Sequence, residues 1–286
     1  MAGRLWVVAT PIGNMGDLTP RAAEVLAAVD LVAAEDTRVT GRLLERIGVK
    51  KRMVSYREET ERKLAGDLVA RMQAGESVAL VSDAGTPCIS DPGYRLVHAA
   101  AEAGIAVLAV PGPSAGIALL SVSGLPTDRF RFEGFPPPRA SARRRLLEGL
   151  VGAGTTVVFH ESPHRVRAFL GEVAEVLGDP PVAVGRELTK FYEEVLRGTA
   201  SSVATHFESK EPRGEFVVAV YVEPREEELT GDALAAEVAR LAAKGSSAKE
   251  IAAALKVRGA HRRDVYAAMR ELGSEEGRDP EEGGEG

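Results

Sequence analysis

Two short loops carry the residue types best suited to holding a ligand. Asp83-Ala84-Gly85-Thr86-Pro87 follows the apolar run VALVSD (78–83), and Pro111-Gly112-Pro113-Ser114-Ala115 follows IAVLAV (105–110). Small residues let backbone approach a ligand closely, while Asp and Ser supply specific hydrogen bonds. Ordinary Gly/Pro turns have the same composition, but these two loops are expected on the same sheet edge. A third motif, His160-Glu161-Ser162-Pro163-His164, matches H-E-x-x-H, in which two histidines on one helix face hold zinc. Here an apolar strand pattern runs straight into the motif, and Pro163 disfavours helix at Ser162, so no metal site is expected. Neither G-x-x-x-x-G-K-[ST] nor a G-x-G-x-x-G after the first strand is present, which argues against P-loop, nicotinamide and flavin chemistry.

The elements that must position these loops follow a simple rhythm. LWVVAT (5–10), LVAAE (31–35), MVSY (53–56), VALVSD and IAVLAV read as strands separated by helical patterns. Thr19 is the N-cap of the first helix, Pro20 opens it, and Ala22, Val25, Leu26 and Val29 form its apolar stripe; Gly48 stops the second. Such alternation predicts a mostly parallel, helix-covered sheet with ligands at the carboxyl ends of its strands. Ala103 to Thr127 is uncharged and long enough for a membrane span, yet Pro111, Pro113, Gly116, Gly124 and Pro126 make it a strand, a loop and a small-residue helix instead.

Residues 121–139 (SVSGLPTDRFRFEGFPPPR) read as a connection between domains. TTVVFHE (155–161), PVAVGREL (181–188) and GEFVVAVYVE (214–223) are expected strands of a second α/β domain, with helices near 141–151, 164–177 and 199–209. Three amphipathic segments follow, 233–243, 248–255 and 262–272, with Ser247 capping the second and Gly259 turning into the third. They fit a helix-turn-helix-like unit or a small structural cap. The expected organisation is therefore an N-terminal α/β domain (1–121), a C-terminal α/β domain (122–224), a helical segment (229–272) and a disordered acidic tail (273–286).

Composition sets outer limits. With 286 residues, 44% apolar and 27% charged, the chain is globular and long enough for two domains. One cysteine, Cys88, excludes an intrachain disulfide framework, and the start MAGRLWVVATPIGN has no signal-peptide pattern, so a cytoplasmic protein is expected. The net charge of −6 sits entirely in residues 271–286, whose seven acids and one Arg leave the rest neutral. Two basic stretches stand out on that neutral body: RASARRR (139–145), and Asp232 to Arg270 with eight basic against four acidic residues. They read either as a nucleic-acid footprint or as solvated helix faces.

Seven blocks in order, VATPIGNMGDLTPRA, AEDTR, LVSDAGTPCISDPG, PGPSA, FRFEGF, ESPHR and RELTKFYEE, resemble the ribosomal RNA small subunit methyltransferase I family of the tetrapyrrole methylase superfamily. The resemblance spans about residues 5–223. It implies two α/β domains with S-adenosylmethionine in the cleft between them, a homodimer, and methylation of a cytidine ribose 2′-hydroxyl in the decoding region of 16S ribosomal RNA, free or in the 30S subunit. By motif, Asp83, Thr86, Ser114 and Ala115 would lie at the donor, as would Phe159, His160, Gly214 and Glu215, with Pro11 facing the cleft.

The implied chemistry is in-line displacement at an activated methyl, which needs positioning of the 2′-oxygen and removal of its proton. Candidate acceptors for that proton are Glu187, Asp36 and, with a depressed pKa, Lys190. Candidate phosphate contacts are Arg38, Arg165 and Arg186, then Arg143, Arg144 and Arg145 of the basic run, and Arg262 and Arg263 of the last helix. Each polar cluster also fits an internal salt-bridge network. Two other functions fit the same residues: methyl transfer to a tetrapyrrole or other small molecule, and RNA binding with a vestigial donor pocket.

Overall fold

The computed structural model describes residues 3–208, 212–225, 231–256 and 260–275. Its first sheet contains β1 (Arg4–Val8), β2 (Leu31–Ala34), β3 (Arg52–Ser55), β4 (Val78–Val81) and β5 (Ala106–Val110), in the order β3-β2-β4-β1-β5. All four adjacent pairs are parallel, as the strand–helix alternation predicts. Successive side chains of a strand point to opposite faces. Ala79 and Val81 thus pack with Leu26 of α1 (Pro20–Ala28) and Leu44 of α2 (Thr37–Arg46). Val78 and Leu80 pack with Leu68 and Met72 of α3 (Glu58–Gln73) and Leu96 of α4 (Tyr94–Glu102). Thr19 caps α1 by accepting the Ala22 N–H.

This topology creates a crevice. The chain leaves β1 toward the face covered by α1 and leaves neighbouring β4 toward the face covered by α4. Loops that diverge from adjacent strands open a gap at their carboxyl ends, the usual ligand position in such sheets.

The second sheet contains β6 (Phe130–Gly134), β7 (Ala153–Glu161), β8 (Pro181–Arg186), β9 (Glu194–Thr199) and β10 (Phe216–Pro224), in the order β6-β7-β10-β8-β9. β6 and β7 are parallel, while β8 is antiparallel to both β10 and β9. One face buries Phe159, Val184 and Val218 against α6 (Ala140–Glu148), α7 (Val166–Leu177) and α8 (Ala200–His206). The other buries Val158, Ala183, Val217 and Ala219 against Leu119 and Leu120 of α5 (Ala115–Ser123). The loop after β5 therefore passes from the first sheet directly onto the second.

Two elements differ from the sequence expectation. The expected connection 121–139 contains β6, a strand bracketed so closely by Pro126 and Pro136 that it reads as a linker. β9 is half-buried at best along its length and is the edge strand beside β8, so it shows no apolar alternation.

Residues 1–223 form one compact unit and 224–286 a second. In the second, α9 (Gly231–Ala242), α10 (Ala248–Lys256) and α11 (Arg262–Glu275) bury Leu234, Val238, Ile251, Leu255 and Val265. Ser247 caps α10 as expected: its hydroxyl accepts the Glu250 N–H, and Glu250 accepts the Ser247 N–H at 2.8 Å. Gly259 and residues 276–286 of the acidic tail lie outside the described residues. No helix among the described residues is long and apolar enough to cross a membrane.

Candidate functional site

The two loops singled out from sequence meet at the carboxyl edge of the first sheet. Thr86 Oγ1 donates to the Pro113 carbonyl at 3.1 Å, and Thr10 and Gly85 exchange backbone hydrogen bonds. Gly85 has φ +80°, a left-handed conformation suited to glycine, and a Cβ on Gly112 would come within 2.9 Å of the Ala9 methyl. Ser114 is the N-cap of α5 but makes no side-chain cap bond. Its hydroxyl and the first amides of the helix can therefore meet an anionic group such as an amino-acid carboxylate. Asp83 Oδ1 accepts the Asp36 N–H at 2.9 Å, and the Asp83 N–H donates to Glu35 at 3.2 Å. Pro11 and Asp83 both line a cavity of about 220 Å³ between the β1 and β4 loops.

A second cluster comes from the loop after β8. Glu187 (φ +49°) and Thr189 (φ +67°) hold left-handed backbone although neither is glycine, a strain that persists only where surroundings enforce it. Glu187 Oε1 accepts from Lys190 Nζ at 2.9 Å and from the Glu215 N–H at 3.0 Å; Lys190 also pairs with Glu215 at 3.0 Å. Gly214 is required here: with φ +92°, its Cβ would sit 2.6 Å from the Glu187 carboxylate. The Lys190 methylenes lie over Gly13, so a β-carbon there would collide with them. This contact brings the second sheet's loop onto the first sheet's loop.

His160 packs against the rings of Phe132 and Phe135, and burial lowers its pKa, partly offset by Glu215. The Phe159 side chain lies in the core against Phe169, so only its backbone is available to a ligand. The H-E-x-x-H sequence does not form a zincin helix, because His160 and Glu161 end β7 and Glu161 pairs with Arg165 at 2.8 Å.

The three candidate proton acceptors differ in state. Asp36 is the N-cap of α2, and its bonds from Arg38 hold its pKa far below the usual carboxylate range. Burial would lower the Lys190 pKa, but its bonds to Glu187 and Glu215 prevail and raise it, so Lys190 is a cation rather than the depressed-pKa base expected. Burial pushes Glu187 up, yet the bonds from Lys190 and the Glu215 N–H outweigh it and keep the carboxyl low. Among the described residues, the bonds to Glu187 fall on Oε1, leaving Oε2 to accept a proton.

Most of the candidate phosphate contacts are already engaged. Arg143 is buried, chelates Glu172 and donates to the Pro137 and Pro138 carbonyls, so it ties α6 to α7 instead of facing a ligand. Arg144 pairs with Glu148 and Glu175, and Arg165 with Glu161. Arg186 pairs with Glu194 and donates to the Arg213 carbonyl. Arg38 binds Asp36, Arg263 binds Asp264, and Arg262 lies over the Tyr266 ring. Arg145 is exposed.

Sequence reasoning passed over three features. Asp91 is pushed up to about 6 by burial and then by the Glu35 carboxylate, and burial also raises Glu35 and Asp83. Phe191 and Tyr192, 92% and 70% exposed, stand edge to face directly after Lys190. Arg42 and Arg46 line the cavity. The adjacent aromatics were legible in RELTKFYEE, and the arginine spacing in α2; the Asp91 environment depends on distant elements.

Residues 4–204 match the family described as Tetrapyrrole (Corrin/Porphyrin) Methylases. A protein of Mesorhizobium japonicum named ribosomal RNA small subunit methyltransferase I is 44% identical, covering 94% of this chain and 92% of its own length. One of the same name from Escherichia coli O157:H7 is 42% identical over 92% of this chain and 93% of its own. Among solved structures, the methyltransferase CobJ superposes with TM-score 0.59 at 18% identity, covering 80% of this chain and 98% of its own. A uroporphyrin-III C-methyltransferase from Thermus thermophilus gives 0.52 at 23%, with 77% and 95% covered. The two structures establish likeness of fold.

Proposed function

This chain belongs to the tetrapyrrole methylase family and, within it, to the ribosomal RNA small subunit methyltransferase I family, and on that premise we propose that it methylates the ribose 2′-hydroxyl of a cytidine in the decoding region of 16S ribosomal RNA. The near full-length match to relatives of that name carries the reading. S-adenosylmethionine supplies an activated methyl group when bound. The loop pair joined by Thr86 and Pro113, with the open N-terminus of α5, fits it: Asp83, Thr86, Ser114 and Ala115 would hold it from one side, and His160 and the Gly214-Glu215 backbone from the other.

The remaining work falls to the chain's own residues. They must hold the 2′-oxygen in line with the methyl group and take its proton. Glu187 accepts that proton through Oε2, and Lys190 beside it stabilises negative charge developing on the oxygen. Phe191 and Tyr192 offer a face on which a splayed nucleotide stacks, the way unpaired RNA is commonly held. The homodimer belongs to this reading and is read by sedimentation.

The test is transfer of labelled methyl from S-adenosylmethionine to small ribosomal subunits, naked 16S RNA and a tetrapyrrole precursor. Label on one ribose 2′-oxygen is expected; label on the tetrapyrrole alone would keep the donor site and overturn the substrate. Glu187→Gln should lower kcat by about 10²- to 10⁴-fold while donor affinity holds.

A further inference from the structure

The cavity at the β1–β4 crevice has three kinds of surface. Buried Thr10 and Ser82 and exposed Asp83 make its polar lining, Pro11, Met15, Val39 and Leu43 its apolar lining, and exposed Arg42 and Arg46 add two cations. The carboxylate and the two guanidinium groups divide the lining by charge. Asp83 Oδ1 is occupied by the Asp36 N–H, which leaves Oδ2, whose two lone pairs can serve the methyl donor and a ribose hydroxyl together. Arg42 and Arg46 are exposed and their guanidinium groups have no hydrogen-bond or ion-pair partner among the described residues, whereas Arg38, one turn earlier, is bound to Asp36. Residues four apart on a helix have Cβ atoms about 5–6 Å apart on the same face, so both guanidinium groups reach one entering group.

From this arrangement we infer that the cavity receives the sugar of an RNA nucleotide and that Arg42 and Arg46 bind its flanking phosphates. The inference rests on the RNA-methylating reading and assigns the nucleotide's contacts. An anion is repelled by Asp83 and attracted to Arg42 and Arg46, while a neutral ribose finds hydrogen-bond partners in Thr10, Ser82 and Asp83 and apolar contact with Val39 and Leu43. Guanidinium forks match phosphate oxygens in pairs, and an unpaired arginine need not give up an internal partner to bind one. The volume, about 220 Å³, is below the ~300–1,000 Å³ of pockets that enclose a whole small-molecule ligand. It suits one sugar better than a complete methyl donor.

The experiment compares the full chain with Arg42→Ala/Arg46→Ala and Arg42→Lys/Arg46→Lys. Binding to a 16S RNA fragment is titrated across salt, S-adenosylmethionine binding is measured by calorimetry, and melting temperature serves as the folding control. The alanine pair is expected to weaken RNA binding at least about tenfold and to reduce the salt slope by about 1.4, the share of two phosphates on a single strand. Donor affinity should stay within about twofold and the melting temperature unchanged, with the lysine pair recovering most of the slope but less of the affinity. RNA binding and slope equal to the unaltered chain would overturn the assignment alone. Loss of donor binding would overturn it by giving the cavity to the donor. An unaltered chain that binds no RNA would overturn the assignment together with the function it rests on.

Discussion

α2 and α6 each carry three arginines, and the more conspicuous run is the less available one. In α6, Arg143 and Arg144 are held by Glu172 and Glu175 of α7 and by Glu148 of α6 itself. In α2, Arg38 is held by the helix's own N-cap, while Arg42 and Arg46 face an open cavity. Burial raises the carboxyls of Glu35, Asp83 and Asp91, whereas Arg38 holds that of Asp36 down. Local density of positive charge therefore says little about binding. What decides it is whether the packed neighbour brings carboxylates.

Removing the best-held arginine should give the largest effect on stability. Arg143→Ala leaves Glu172 without its buried partner and is expected to cost about 2–3 kcal/mol, measured by denaturant unfolding, with no change in the salt slope of RNA binding. A reduced slope would place α6 on the RNA and break the contrast.

Asp91→Asn probes the acid that meets Ser82, Glu35 and Asp83. The Asp91 pKa is about 6 in the folded chain, against 3.8 for the free group. A raised pKa means that its favourable contribution is complete below the unfolded value and lost as pH rises through the folded one. The variant should therefore melt higher than the unaltered chain at pH 8, with the gain shrinking toward zero by pH 4. A gain that is equal at both pH values would show that Asp91 is not held near neutrality by burial. Smallest of all, Arg144→Ala should shift the melting temperature by no more than about 2 °C, since exposed ion pairs contribute little.

The first sheet was legible because each of its strands is a short apolar run ended by a turn, and because Thr19, Pro20 and Gly48 mark helix boundaries by local chemistry. β9 was not, because EVLRGT is an edge strand whose exposure erases the period-two signal. The same division holds for the site. Asp83, Thr86 and Ser114 share an edge because parallel sheets put such loops together. The fates of the arginines were hidden, since Glu172 lies 29 residues beyond Arg143 and only α6–α7 packing unites them. Lys190 was misread for a related reason: Glu215, which helps to raise its pKa, comes from 25 residues away. Arg42 and Arg46 carried a readable signal, their four-residue spacing within α2, that the denser RASARRR run overshadowed.

The most direct test of where RNA lies is photo-crosslinking. A substrate RNA with a photoactivatable nucleotide beside the target cytidine is irradiated on the full chain, and crosslinked peptides are identified by mass spectrometry. Crosslinks in residues 10–15 and 39–46 are the predicted result. Crosslinks confined to residues 139–148 would contradict it, placing the RNA on the helix whose Arg143 and Arg144 are held by their neighbours.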